Sequence, residues 1–79
     1  MAESISHFTH LSGLYLQYND LEGGLPATLG KLSKLVHFYA NCNKLQGPLP
    51  ASLGNCRKLQ VLWLYNNSLT GKPRGPVQV

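Results

Sequence analysis

The chain of 79 residues is long enough for one small domain. Hydrophobic residues make up 43% and charged residues only 13%, which excludes a typical disordered chain. The net charge of +4 is mildly basic and does not by itself indicate nucleic-acid binding. No apolar run approaches the roughly 18 residues that a transmembrane helix needs, and the N-terminus lacks the pattern of a signal peptide. The sequence alone therefore leaves the compartment unknown.

We expect a leader at residues 1–4, a repetitive unit at residues 5–71, and a basic tail rich in Pro and Gly at residues 72–79. His7 and His10 form an HxxH pair near the N-terminus, but no third ligand lies close to them in the sequence. We therefore expect no metal site, since zinc sites use three or four protein ligands.

The central feature is an internal repeat with a period of 24 residues. The stretch LEGGLPATLGKLSKL begins at Leu21, and LQGPLPASLGNCRKL begins at Leu45, with nine of fifteen positions identical. A third copy starts at Leu69 with LTG and is not continued. A match that includes Gly and Pro indicates repeated units of structure rather than chance similarity of apolar residues.

Each repeat begins with a stretch in which apolar residues alternate, LSGLYLQ, LVHFYAN and LQVLWLY. Period two predicts short strands with one buried face, and strands that recur along a solenoid must pair in parallel. The buried positions are expected to be Leu14, Phe38 and Leu62, followed by Leu16, Ala40 and Leu64.

An asparagine follows each strand, at Asn19, Asn43 and Asn67. Its amide can donate and accept, so we predict that these side chains form a ladder that pairs buried backbone groups at the turn. Glycines at the bend (Gly23, Gly47 and Gly71) come next, and Pro26 and Pro50 then precede short helical segments that return the chain to the next strand. The fold expected is an α/β-type solenoid, with a short parallel sheet on its concave face and 3-10 or short helical segments on its convex face.

This pattern resembles the plant-type leucine-rich repeat, LxxLxxLxLxxNxLxGxIPxxLGxL, over roughly residues 5–71. The stretch SLGNCRKLQVLWLYNNSLTG is similar to the ectodomains of plant receptor-like kinases and receptor-like proteins. The resemblance implies a non-catalytic module that recognises a protein or peptide, at the cell surface or outside the cell. Ser6 departs from the pattern where Gly30 and Gly54 stand, as does Pro73-Arg74 where Leu-Pro is expected. We expect a fragment, a truncated product or a short relative of such a receptor.

The outward positions of the three strands are candidates for binding, because the core leaves them free to vary. They place Tyr15, Tyr39 and Trp63 in one register, and the nine outward positions contain no charged residue. Large stiff aromatic side chains are typical of binding hot spots, although exposed aromatics also simply suit strands. The predicted ligand-binding residues are Tyr15, Gln17, His37, Tyr39, Asn41, Trp63 and Tyr65.

The remaining polar residues do not form a pattern that indicates a catalytic or cofactor-binding site. The basic residues Lys31, Lys34, Arg57 and Lys58 fall on the return segments, where we expect a solvated face away from the aromatics. The carboxylates have no partner acid across a cleft, no phosphate-binding loop is present, and Cys56 substitutes for a core Leu, so we expect no enzyme, cofactor or Cys42–Cys56 disulfide.

Two further expectations concern modification and assembly. Asn66-Asn67-Ser68 is a glycosylation acceptor, which would matter only in a secreted chain. The alternative to ligand binding is a structural role, in which uncovered rims of the solenoid stack end to end on another repeat protein.

Overall fold

The computed structural model describes residues 3–70. In this range the chain forms three 3-10 helices, η1 (Glu3–His7), η2 (Ala27–Lys31) and η3 (Ala51–Asn55). It also forms six short strands, β1 (Gly13–Tyr15), β2 (Glu22–Gly23), β3 (His37–Tyr39), β4 (Lys44–Pro48), β5 (Val61–Trp63) and β6 (Ser68–Thr70). None of the helices in residues 3–70 has the length and apolarity to span a bilayer. The predicted bend at Gly71 and the predicted tail lie outside the described residues.

The predicted strands form one parallel sheet in the order β1-β3-β5. Leu14 is paired with Phe38, and Phe38 with Leu62, so the register equals the sequence period. Each turn of the solenoid is one coil: the first coil carries β1 and β2, the second β3 and β4, and the third β5 and β6. The predicted solenoid with a parallel sheet is confirmed.

A second parallel sheet, in the order β2-β4-β6, was not predicted. It follows the asparagine turns, and its register pairs Glu22 with Lys44 and Gln46 with Ser68. This offset is two residues shorter than the repeat. The same offset recurs in the ladder, where the Leu21 N–H donates to Asn43.

The core lies between the concave sheet and the 3-10 helices. Phe38, Ala40 and Leu62 are almost fully buried, while Leu16 is half-buried and packs against them. Pro26 and Pro50 stand in extended conformation immediately before η2 and η3, as predicted. Outward-facing side chains are thereby held on a short rigid sheet.

The chain leaves each concave strand through a residue in the left-handed region. Tyr18, Cys42 and Asn66 have φ of 58°, 60° and 56°. Only Asn among these tolerates that conformation readily, so residue type does not predict the conformation at Tyr18 and Cys42. Further on, the bends at Gly23 and Gly47 have φ of 81° and 87°, as their predicted role requires.

Candidate functional site

The aromatic ridge consists of Tyr15, Tyr39 and Trp63, one residue from each concave strand. The rings of Tyr39 and Trp63 are stacked, with centroids 4.3 Å apart and planes 16° apart. Tyr15 meets Tyr39 edge-on, with centroids 5.1 Å apart. Tyr15 is 57% exposed and Trp63 is 38% exposed, whereas Tyr39 between them is half-buried. The rings therefore face away from the core, as the alternation predicts, and they support one another.

His37 adjoins the ridge, and Gly13 shapes it. The His37 ring lies 6.1 Å from that of Tyr39 and 6.5 Å from that of Tyr15. Tyr15 leans back over Gly13, where a Cβ would come within 2.6 Å of its hydroxyl oxygen. Gly13 therefore leaves room for the Tyr15 ring beside His37. The signal for this arrangement in the sequence is the small residue at an outward strand position.

Gln17, Asn41 and Tyr65 form the polar column beside the ridge. Tyr65 is exposed and Gln17 is half-buried. The expectation that Asn41 faces solvent is wrong, because Asn41 is only 2% exposed. Asn41 lies in the middle coil, between the backbone turns of the first and third coils: its carbonyl accepts from the Tyr18 N–H, and the Cys42 N–H donates to Tyr65.

The buried amides of this column keep unused hydrogen-bonding capacity. Asn41 Oδ1 and Gln17 Oε1 are both buried and accept no hydrogen bond from the described residues. The Asn41 Nδ2 donates weakly to Cys42 Sγ at 3.7 Å. Both acceptors lie beneath the surface of the concave face, so they are shielded from solvent in this structure.

The asparagine ladder has the predicted geometry. Asn43 donates to the carbonyls of Leu16 at 2.9 Å and Ala40 at 3.0 Å, and it accepts from the Leu21 N–H at 3.1 Å. Asn67 repeats this pattern one coil later, with Ala40, Leu64 and Leu45 as partners. Asn19 donates only to carbonyls of its own coil. The ladder fixes the ends of the strands that carry the ridge and the polar column.

A second polar cluster lies at the strand exits and consists of Tyr18, Cys42, Tyr65 and Asn66. The contacts within this cluster were not predicted from the sequence. Asn66 Nδ2 donates to Cys42 Sγ at 3.5 Å. The Tyr65 hydroxyl, and then Cys42, raise the pKa of Tyr18 above its usual 10.0. Cys42 and Cys56 are both free, and burial raises the pKa of the Cys56 thiol.

The repeat motif and the geometry agree with one family model. The model for the Leucine Rich Repeat matches residues 10–32, 34–56 and 58–78. The chain belongs to the leucine-rich repeat family.

Solved structures similar to these leucine-rich repeats include ectodomains of plant receptors. The plant peptide hormone receptor RGFR1, in complex with RGF2, is 38% identical with a TM-score of 0.86, over 87% of this chain and 11% of the receptor chain. The ectodomain of the receptor kinase GASSHO1/SCHENGEN3 from Arabidopsis thaliana, in complex with CASPARIAN STRIP INTEGRITY FACTOR 2, is 42% identical with a TM-score of 0.88. That match covers 92% of this chain and 9% of the receptor chain.

PEPR1, solved with AtPEP1, is 33% identical with a TM-score of 0.85, over 87% of this chain and 10% of the PEPR1 chain. The chain thus spans about a tenth of the length of the receptors it matches. No curated protein matches it significantly in sequence.

Residues 3–70 contain no group of three His, Cys, Asp or Glu side chains that could hold a metal ion. Asn66, the predicted glycosylation acceptor, is exposed at a strand exit. Its glycosylation stays a prediction.

Proposed function

We propose that this leucine-rich repeat unit is a non-catalytic binding module whose concave face contacts a peptide or protein ligand. The observation that carries the proposal is the aromatic ridge: rings in contact across three strands, exposed on a rigid sheet. Ligand-bound plant receptor ectodomains of the same fold support it.

The proposed contact combines stacking area with directed hydrogen bonds. Tyr39 and Trp63 offer aromatic surface at low conformational cost, since each side chain is already held by its neighbour. His37 lies against the rings, and the exposed side chain of Tyr65 lies in the adjoining column. A ligand that presents an apolar or aromatic side chain beside groups that hydrogen-bond to His37 and to the Tyr65 hydroxyl fits this surface.

An extracellular or plasma-membrane setting follows from the same proposal. The solved neighbours are plant receptor ectodomains, and exposed Asn66 would then be available for glycosylation. Glycosidase treatment of the chain secreted from plant cells tests this directly. A mass shift lost on Asn66→Gln supports the setting, whereas secretion without any shift at this residue contradicts the glycosylation.

The ridge is tested by titrating the chain with a panel of plant peptide hormones that includes RGF2 and AtPEP1, using calorimetry. For any peptide that binds, Tyr39→Ala or Trp63→Ala should cost about 2 kcal/mol or more, the size of a hot spot. Phe8→Ala is the matched control, because Phe8 is 59% exposed and lies outside the concave sheet. Binding that survives both ridge changes would place the ligand elsewhere.

A second candidate function is structural, through stacking of repeat units. Among the described residues, Asn19 bonds to carbonyls of its own coil, whereas Asn43 and Asn67 each bridge two coils. A coil from the same or another polypeptide could donate its turn N–H to Asn19 and extend both sheets. Light scattering over a range of concentrations should then show oligomers that Asn19→Ala weakens. A monomer at all concentrations would leave ligand binding as the function.

A further inference from the structure

A basic band begins at the last residue of η2 and follows the turns that lead from the 3-10 helices into the concave strands. It consists of Lys31, Lys34, Arg57 and Lys58, all exposed. The turns are built alike: the Leu35 N–H donates to Leu32 at 3.1 Å, and the Leu59 N–H donates to Cys56 at 3.0 Å. Repetition of this turn therefore places Lys34 and Lys58 in the same position of neighbouring coils.

The first coil continues the band with titratable groups. His10 occupies the position equivalent to Lys34, and its Nδ1 lies 3.4 Å from the Lys34 ammonium. Contacts from coil to coil therefore align the band along the axis of the solenoid. Parallel strands lie about 4.8 Å apart, so cations on successive coils are within reach of one short extended ligand.

The charges of the band are not neutralised by the described part of the chain. The carboxylates of residues 4–70 are Asp20 and Glu22, at the far corner of the coil, where Asp20 lies 3.9 Å from Lys44. No described carboxylate lies within 4 Å of a band cation, since the Asp20–Lys44 pair is the ion pair formed in that part of the chain. The positive potential of the band is thus directed to solvent.

The amino-acid composition of the band restricts the chemical class of the partner that it can bind. Binding to single-stranded nucleic acid uses aromatic rings interleaved with cations, and here the stacked rings lie on the concave sheet instead. A membrane-surface element buries an apolar face beside its basic residues, whereas the turns of the second and third coils hold Ser33, Lys34, Arg57 and Lys58, and exposed Phe8 lies in the first coil beside His10. Carboxylates pair well with both side-chain types present, singly with Lys and in bidentate fashion with Arg.

We infer that the basic band docks an acidic polypeptide segment of a partner protein, independently of the concave face. Consecutive carboxylates of an extended segment advance about 3.3 Å per residue, so a short acidic run contacts cations on two coils. Exposed pairs of this kind are individually weak and sensitive to salt. The docking is therefore an auxiliary contact that adds orientation and association rate to a larger interface.

The test is fluorescence anisotropy of labelled polyglutamate titrated with the full chain at low and at physiological salt. Removing all four charges (Lys31→Ser, Lys34→Ser, Arg57→Ser and Lys58→Ser) should weaken binding by about tenfold at low salt. Lys44→Ser is the matched control, because it removes one cation next to Asp20 and outside the band. Trp63→Ala should leave polyglutamate binding unchanged, which separates this surface from the ridge.

Three outcomes would overturn the inference. The first is the absence of salt-sensitive binding of polyglutamate. The second is a loss of affinity from Lys44→Ser that is as large as the loss from the single change Lys58→Ser. The third is band-dependent binding of oligothymidylate or of phosphatidylserine vesicles that is as tight as the binding of polyglutamate, or tighter. If the fourfold variant does not fold by circular dichroism, Lys58→Glu replaces it and should weaken binding more than Lys44→Glu.

Discussion

For single residues, the hydrogen bonds that an asparagine forms depend on its position in the coil and on the coils next to it. Asn43 bonds its own coil and the coil before it, and so removes unpaired backbone groups from both. Asn41, two residues earlier, is also buried, but its Oδ1 has no partner within residues 3–70. Residue type alone does not separate these two amides.

We predict that Asn43→Ala lowers the free energy of unfolding by about 1–3 kcal/mol, because the Leu21 N–H loses its acceptor and the bond from Asn43 to the Leu16 carbonyl of the preceding coil is lost. Asn19→Ala should cost less, since Asn19 is exposed and contacts only its own coil. Urea titrations of both variants measure the difference. Equal losses would show that bonds between coils add nothing to the ladder.

At the scale of elements, the return helices pack closely enough that side-chain size is restricted. Ser52 in η3 donates its hydroxyl to the Ala27 carbonyl of η2 at 2.6 Å. A Cβ at Gly30 would lie 2.6 Å from the Ser52 carbonyl oxygen. The equivalent Gly54, one coil later, has no atom within 4 Å of such a Cβ among the described residues.

We therefore expect Gly30→Ala to destabilise the chain by about 1–3 kcal/mol, as overpacking of a tight contact does. Gly54→Ala should change stability by less than about 0.5 kcal/mol, as open surface positions do. Thermal unfolding followed by circular dichroism compares the two variants. A Gly30→Ala protein as stable as the Gly54→Ala protein would mean that η2 and η3 separate without cost.

At the scale of the whole molecule, each coil contacts only its neighbours. Within residues 3–70, elements of the first coil contact those of the second, and elements of the second contact those of the third, with no contact between first and third. The stability of such an array is close to a sum of unit and interface terms. The middle coil is therefore the best buried, as the full burial of Phe38 and Ala40 shows.

Duplicating residues 33–56 in register should raise both the urea midpoint and the slope of the unfolding transition. The added coil contributes a new interface, and more surface is exposed when it unfolds. An insert of the same composition in scrambled order is the control and should raise neither. An unchanged midpoint with the native insert would contradict the additive behaviour of the coils.

The period, the parallel concave strands, the asparagine ladder and the register of the aromatic ridge were predictable from the amino-acid sequence. These follow from local rules: side chains alternate along a strand, Pro and Gly restrict the backbone, and a repeated pattern must repeat its structure. They fix which residues are equivalent from coil to coil, and thus which side chains share a face.

Differences in burial and contacts between equivalent positions depend on the folded structure and were not predictable from the repeat. Asn41 is buried because a coil lies on each side of it, Tyr15 leans over Gly13 because that position has no side chain, and the second sheet pairs with an offset two residues shorter than the repeat. The position of Asp20 beside Lys44, outside the basic band, also depends on how the chain coils. Each of these features depends on contacts with atoms outside the local stretch of sequence. The repeat pattern shows which residues are equivalent, but it does not specify the distances between their atoms.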